Sequence, residues 1–394
     1  MINCSIQKLK VLMIANGHPI PGLEHYYTFI AEQARALAKY IHLSVVVPIE
    51  VLLPIPKHRH QLKFSKKFPK YRSDYGYTVF FPRAYRYFPG LNKYLADNLM
   101  LWSILYYIWR NKLQFDLIHT HFAHPAGYIG AIIAKHFRKP HILTVHGSDI
   151  LEEFVPNEIV RLRKHHRDFA LQMANRIISV SNYLKHVLIA RGIAPEKMIV
   201  IPNGIDTNIF IPEIDLNGHV DILFVGNLIE LKGIDLLIQA FHKFYQKYPN
   251  LNLKIIGEGP LRDKLCSLAL KLGISDRVNF LGPMQNRNVA RILSKARLLC
   301  LPSRQEGFGV VAIEALASGV PVVGARTGGI IDIITSDNIG FLFEPGNSDD
   351  LALKLEAALN KNWDKNAIRK EGLKYSWELI ADRIIEQYHV VQKK

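Results

Sequence analysis

Short apolar runs alternate with longer amphipathic stretches along most of the chain, the pattern that forces a parallel sheet covered by helices on both faces. Residues 10–15, 43–47, 117–120, 142–145, 177–180 and 199–201 read as strands of a first sheet. The alternation restarts after Asp206, and residues 222–225, 253–256, 278–281, 298–301 and 320–323 read as strands of a second. Pro212, Asp215, Asn217 and Gly218 break both periodicities, so residues 210–219 are expected to link two domains. A last helix from Trp377 to about Val391 is longer than the second sheet needs. Over residues 52–92 the alternation fails, and no strand is expected there.

Length supports the same division. A chain of 394 residues, 49% of them apolar, can bury two cores of roughly 150 to 200 residues each. The three cysteines (Cys4, Cys266, Cys300) sit on or beside apolar runs without metal-ligand spacing, which speaks against a disulfide framework or a zinc site and for a reducing compartment. The amino terminus lacks the succession of a signal peptide, and the longest apolar run, residues 99–109, is about half of what a membrane span needs. A cytoplasmic protein is expected, or one peripheral to the inner face of the cell membrane.

The formal charge of +16 attracts phosphates or an anionic membrane surface, or is simply a basic background. No nucleic-acid partner is expected, because no helix-turn-helix, RNP or zinc-finger pattern accompanies the charge. Lys57, Arg59, Lys63, Lys66, Lys67, Lys70 and Arg72 interleave with Phe64, Phe68, Tyr71, Tyr75 and Tyr77. That mixture suits a bilayer interface or a lipid-phosphate acceptor. Equally, it suits an irregular loop whose rings pack on the first domain.

The richest chemistry follows the strand 298–301, where Pro302-Ser303-Arg304-Gln305-Glu306-Gly307-Phe308-Gly309 opens a helix that carries Glu314. At such a strand-to-helix junction the N–H groups of Gly307, Phe308, Gly309 and Val310 can meet an anion, while Glu306 and Glu314 can accept from hydroxyls. A ligand with both phosphate and sugar fits that pairing. A plain loop with a solvated Glu314 is the alternative.

The block EGFGVVAIEALASGVPVVGARTGG resembles the nucleotide-sugar site of the retaining glycosyltransferases of family 4, which have the GT-B fold. The resemblance covers essentially the whole chain. It implies an α/β architecture of two facing Rossmann-like domains with parallel sheets and an interdomain cleft. Residues 1–210 would form the acceptor-side domain, 211–375 the nucleotide-sugar domain, and 376–394 a C-terminal helix crossing back to the first. It further implies a nucleotide-sugar donor, with uridine diphosphate the first expectation and guanosine the second, and a glycan or lipid-linked acceptor. Glu306 would hold hydroxyls of the donor sugar and Glu314 the ribose.

Gly226-Asn227 stands where the family usually has Gly-Arg, and Lys232 keeps the lysine five residues on. Lys232 would neutralise the departing diphosphate, Asn227 adding only a neutral hydrogen bond. Gly257 ends the next strand and permits close backbone approach, and Ser303 ends its own, with Arg304 read as a surface residue. In the first domain Gly22 takes the place of a glycine loop, and His146 that of a histidine touching the donor sugar. Asp149 would orient His146, meet an acceptor hydroxyl or cap a turn. The run DLIHTHFAHPAG (116–127) resembles bacterial surface-polysaccharide transferases, the teichuronic-acid type among them, and puts His121 on the acceptor side. His119, His121 and His124 look like metal ligands at first sight, but no Cys or carboxylate is grouped with them. With no D-x-D pair at a strand end of the site, neither a cofactor nor an obligatory metal is expected. A nucleotide-sugar epimerase or hydrolase, for which Asp149, Glu152 and Glu153 would be the carboxylates, and a non-catalytic partner subunit are the alternative readings.

Overall fold

The computed structural model describes residues 8–20, 27–52, 68–86, 95–151, 158–212, 220–245 and 247–393. Gly22, Glu152, Glu153 and residues 57–67 of the basic segment lie outside them. The chain divides into two compact units. The first comprises Met1–Val180, Leu184–Ile201 and Ile380–Lys394, and the second Ser181–Tyr183 and Pro202–Leu379.

In the first unit the strands are β1 (Lys10–Ile14), β2 (His42–Val46), β3 (Ile49–Leu52), β4 (Tyr71–Asp74), β5 (Tyr77–Phe80), β6 (Arg83–Arg86), β7 (Leu117–His121), β8 (His141–Val145), β9 (Arg176–Ser179) and β10 (Met198–Val200). Eight of them form one sheet in the order β10-β9-β8-β7-β1-β2-β5-β4, parallel throughout except for the β4–β5 pair. Sequence order reverses between β1 and β7, and the loops after these two strands are bonded to each other, Asn16 Nδ2 donating to His124 O at 3.0 Å and Ala126 N donating to Asn16 Oδ1 at 3.2 Å. β7 and β8 are buried along their whole length, as expected of central parallel strands. The helices Ala96–Arg110 and Tyr128–Phe137 cover one face through Leu101, Ile104, Ile108, Ile129 and Ile133.

Residues 71–86, expected to be without strands, hold three. β4 and β5 are an antiparallel hairpin around Tyr75 and Gly76, with Asp74 opposite Tyr77. Both loop residues have positive φ, 32° and 91°, as a two-residue turn matched to strand twist requires. β3 and β6 pair in parallel as a separate ribbon.

The second unit has β11 (Val220–Val225), β12 (Leu253–Ile256), β13 (Val278–Gly282), β14 (Ala296–Leu301), β15 (Val322–Ala325) and β16 (Gly340–Phe343), all parallel, in the order β13-β12-β11-β14-β15-β16. β16 is an addition to the five strands read from the sequence. The order reverses between β11 and β14. Helix Ile234–Tyr245 buries Leu237, Phe241 and Phe244, and helix Ser348–Asn360 adds Leu351 and Leu355 to the same core.

The C-terminal helix Trp377–Gln392 supplies Tyr388 to the first unit, fully buried, its hydroxyl 2.7 Å from His119 Nδ1.

Candidate functional site

The two loops at the second unit's reversal are joined to each other. After β11 the chain runs through Gly226 and Asn227 to a short turn, Glu230–Lys232, and Gly233 follows with φ 62°. A Cβ on Gly233 would lie 2.1 Å from the Pro302 carbonyl oxygen, so only glycine lets the β14 loop come this close. Arg304 N donates to Leu231 O at 2.8 Å. The Arg304 guanidinium, read from sequence as a surface group, clamps the Asp235 carboxylate with two bonds of 2.9 and 2.6 Å and also donates to Glu230 O.

This arrangement brings Lys232 to Glu306. Lys232 Nζ lies 2.6 Å from Glu306 Oε2, and the Ser303 hydroxyl donates to the same oxygen at 3.1 Å. Both partners of the ion pair are largely buried, and Ser303 is wholly so. Ser303, expected to meet the ligand, therefore positions Glu306. Behind Glu306 sit Gly328 and Gly329, the second donating its N–H to Glu306 O at 3.2 Å. A Cβ on Gly328 would fall 1.8 Å from Glu306 O, and one on Gly329 would fall 2.6 Å from Gly307 O. These two glycines fix the main chain that carries Glu306, a role that the sequence reading missed although it quoted them.

Helix Val310–Ala317 begins at Gly309, which has φ 95° and no side chain to cap the first N–H groups. Its open N-terminus is thus available to an anion. Phe308 contributes main chain only, because its ring is buried 6.1 Å from the Tyr375 ring. Glu314 is half-buried in the second turn of this helix, and Asn227 is exposed on the facing loop of the same unit. Gly257 is glycine for a packing reason: its Cβ would lie 1.9 Å from Gly226 O.

In the first unit the expected histidine cluster separates into three environments. His119 is buried between Tyr388 and the Thr144 hydroxyl, the latter 2.7 Å from Nε2. His121 Nδ1 lies 3.0 Å from His146 Nε2 with the rings stacked at 21°, and Gln33 Nε2 is 3.4 Å from His121 Nε2. An amide nitrogen only donates, so His121 carries its hydrogen on Nδ1 and gives it to His146. His146 Nδ1 is left buried without a partner among the described residues, with the Phe29 and Phe122 rings against the imidazole. Burial holds His121 down at about 3 and keeps His119 and His146 neutral well below the ordinary imidazole range.

His124 turns away from the other two. Its Nε2 and His166 Nδ1 meet one carboxylate oxygen, Asp97 Oδ2, at 2.7 and 2.6 Å, and His166 stacks on Tyr128 at 3.7 Å. Burial pushes the Asp97 carboxyl up, but the two imidazoles outweigh it and hold the group below its usual value. These three residues could hold a metal ion, since their ligand atoms lie within 4.8 Å of one another. As they stand they tie the start of helix Ala96–Arg110 to the loop after β7. Asp149 accepts from the main-chain N–H of Ala123 (2.7 Å), His146 (3.1 Å) and Gly147 (3.0 Å). Of its three expected roles, the geometry supports the turn cap, and burial raises its carboxyl.

Residues 28–209 match Glycosyltransferase Family 4, and residues 207–375 match Glycosyl transferases group 1. An uncharacterized glycosyltransferase of Methanocaldococcus jannaschii is 35% identical over 297 residues, which is 74% of this chain and 80% of the relative. The D-inositol 3-phosphate glycosyltransferase of Kribbella flavida is 27% identical over 71% of this chain and 72% of its own. Among solved structures, the sucrose-phosphate synthase of Thermosynechococcus elongatus superposes with a TM-score of 0.77 at 21% identity, over 97% of this chain and 98% of the other. HepE of Anabaena in complex with UDP-glucose gives 0.72 at 20% identity, over 97% and 100%. These likenesses of structure carry the fold, and the matches over both units carry the family: the chain belongs to the glycosyltransferases, of the family 4 type with a group 1 domain, and is built on the GT-B fold.

Proposed function

We propose that the chain transfers a sugar, with retention at the anomeric carbon, from a uridine-diphosphate sugar to a glycan or lipid-linked acceptor in surface polysaccharide synthesis. The observation that carries this reading is the Lys232–Glu306–Ser303 group beside the open N-terminus of helix Val310–Ala317. A cation, fixed N–H groups and a carboxylate stand at one strand-order reversal, as a diphosphate joined to a hydroxyl-rich sugar demands. The UDP-glucose bound by Anabaena HepE, a protein of the same fold, supports the class of donor.

In the step itself the acceptor oxygen bonds to the anomeric carbon as the bond from that carbon to the diphosphate oxygen breaks. The acceptor proton passes to the departing phosphate on the same face of the ring. Lys232 and the N–H groups from Gly307 to Val310 stabilise the charge that builds on the diphosphate, with a neutral contribution from Asn227. Glu306 accepts from sugar hydroxyls and Glu314 from the ribose. The polysaccharide role and the retaining course rest on the resemblance of the motifs.

The purified full chain, given UDP-sugars with and without candidate acceptors, should release UDP only when an acceptor is present and form a product with the anomeric configuration of the donor. Free sugar or an epimer formed without acceptor would replace this reading with the hydrolase or epimerase one. No turnover, with binding intact, would make the chain a partner subunit.

A further inference from the structure

Helix Ala96–Arg110 is buried on one face only. Leu101, Ile104 and Ile108 enter the core of the first unit, whereas Trp102, Tyr106 and Trp109 are 68%, 51% and 75% exposed. Spacings of four and three residues put those rings on one stripe. The rings of Tyr106 and Trp109 lie 6.1 Å apart, so the stripe is continuous at its C-terminal end. Large aromatics in a contiguous exposed row are not the ordinary scatter of apolar atoms on a soluble surface.

The surroundings of the stripe are basic. Arg110 and Lys112 follow it directly, and the neighbouring helix Tyr128–Phe137 ends in exposed Lys135 and Arg138. From Asn98 to Ser148 the sequence has a single acidic residue, Asp116, and its carboxylate accepts from Lys10 N at 2.9 Å. Nothing acidic on this helix therefore offsets the cations, because Asp97 at its start is taken by His124 and His166.

We propose that this stripe seats the first unit on an anionic lipid bilayer. Trp102, Tyr106 and Trp109 lie at the headgroup level, where rings with one polar edge are favoured, and Arg110, Lys112 and Arg138 meet lipid phosphates. The choice of rings argues for a bilayer over a protein partner: the stripe is Trp and Tyr, with the purely aliphatic side chains turned inward. Charge complementarity argues the same way, since a second copy would bring another chain of formal charge +16 against the same basic border. No helix among the described residues is long and apolar enough to cross a membrane, so the attachment is to the surface. The inference stands independently of the sugar-transfer reading.

The test uses the full chain with vesicles of phosphatidylcholine alone and vesicles containing phosphatidylglycerol, at low and high salt. The wild-type chain should co-sediment with the anionic vesicles at low salt, and its tryptophan emission should shift to the blue. Trp102→Ser with Trp109→Ser should lower the affinity more than tenfold with unchanged circular dichroism. Arg110→Gln and Lys112→Gln should each cost about fivefold, an effect screened by salt. Four results would overturn the proposal. The first is wild-type binding by the double Trp variant. The second is failure of the wild-type chain to bind either vesicle. The third is a dimer in sedimentation velocity that the Trp substitutions dissociate, which would make a second copy the occupant. Loss of binding on changing only Lys63, Lys66, Lys67 and Lys70 to Gln, with the Trp variant still bound, would likewise assign the attraction elsewhere.

Discussion

Lys232 Nζ stands 2.6 Å from Glu306 Oε2, although 74 residues separate the two in the chain. In this state each neutralises the other. A donor that gives its diphosphate to Lys232 and its sugar hydroxyls to Glu306 must open the bridge, exchanging one charge-assisted contact for two. Paired in this way, neither side chain bears the cost of a half-buried lone charge.

Glu306→Ala should therefore lower kcat by about 10²-fold or more, the usual loss when a group aimed at the reacting sugar is removed. Circular dichroism should stay near wild type, because Gly328 and Gly329 hold the local main chain, while the thermal midpoint should fall, because Lys232 loses its carboxylate partner. Transfer within tenfold of wild type would remove Glu306 from the mechanism.

Asn227→Arg should tighten donor binding or leave it unchanged, since an exposed guanidinium on this loop can pair with phosphate oxygens. Calorimetry with UDP is the measurement. A clear loss of affinity in a folded variant would mean that the diphosphate lies elsewhere.

Transfer should survive EDTA, because the proposed step gives the leaving diphosphate a lysine and helix-start N–H groups in place of a metal ion. Activity that stops with the chelator and returns with Mn²⁺ or Mg²⁺ contradicts this. Asp97→Asn then tests one location for the ion, since Asp97, His124 and His166 are a group among the described residues that could hold one.

Acid should unfold the first unit through its histidines. Burial lowers His18 to about 4 and His121 and His141 to about 3, and His119 and His146 are lowered too. A histidine whose folded value lies below its unfolded one takes up its proton on unfolding. Its contribution is complete above about pH 6.5 and falls as pH drops from there towards the folded value, by about 1.4 kcal/mol per pH unit for each. The urea midpoint should decline steeply from pH 7 to pH 5, before most carboxylates titrate. His141→Gln, whose amide can still reach the Thr120 hydroxyl, should flatten that decline. A level midpoint across this range would show that these rings take up protons as readily in the folded state as in the unfolded one.

Much of this fold is legible in one dimension. Parallel strands with both faces covered announce themselves where the run is apolar, as in Leu298-Leu299-Cys300-Leu301 of β14, whereas β7, buried along its length, carries His119, Thr120 and His121. β4 and β5 are not announced, since Tyr75 is a poor signal for a left-handed turn position and the strands carry Arg72, Asp74 and Thr78. At the site, residue types and spacing point to Glu306 and Lys232 separately. What joins them is a carbonyl fitting against Gly233 and an Arg304 clamp on Asp235, contacts between loops that no periodicity records. His119 looked like a metal ligand for the same reason: its partner Tyr388 lies 269 residues away.

That last contact bears on how the chain is made. Tyr388 fills the interior of a unit whose first strand begins at Lys10, and Ile380, Ala381 and Ile384 are buried with it. During synthesis the first unit must wait for a helix that follows the second, while Pro202–Leu379 can close on itself earlier. Until Tyr388 arrives, His119 and the apolar wall around it stay uncovered on the nascent chain. A fragment cut before Ile380 would stay in that unfinished condition, and it would be a ready substrate for chaperones and proteases.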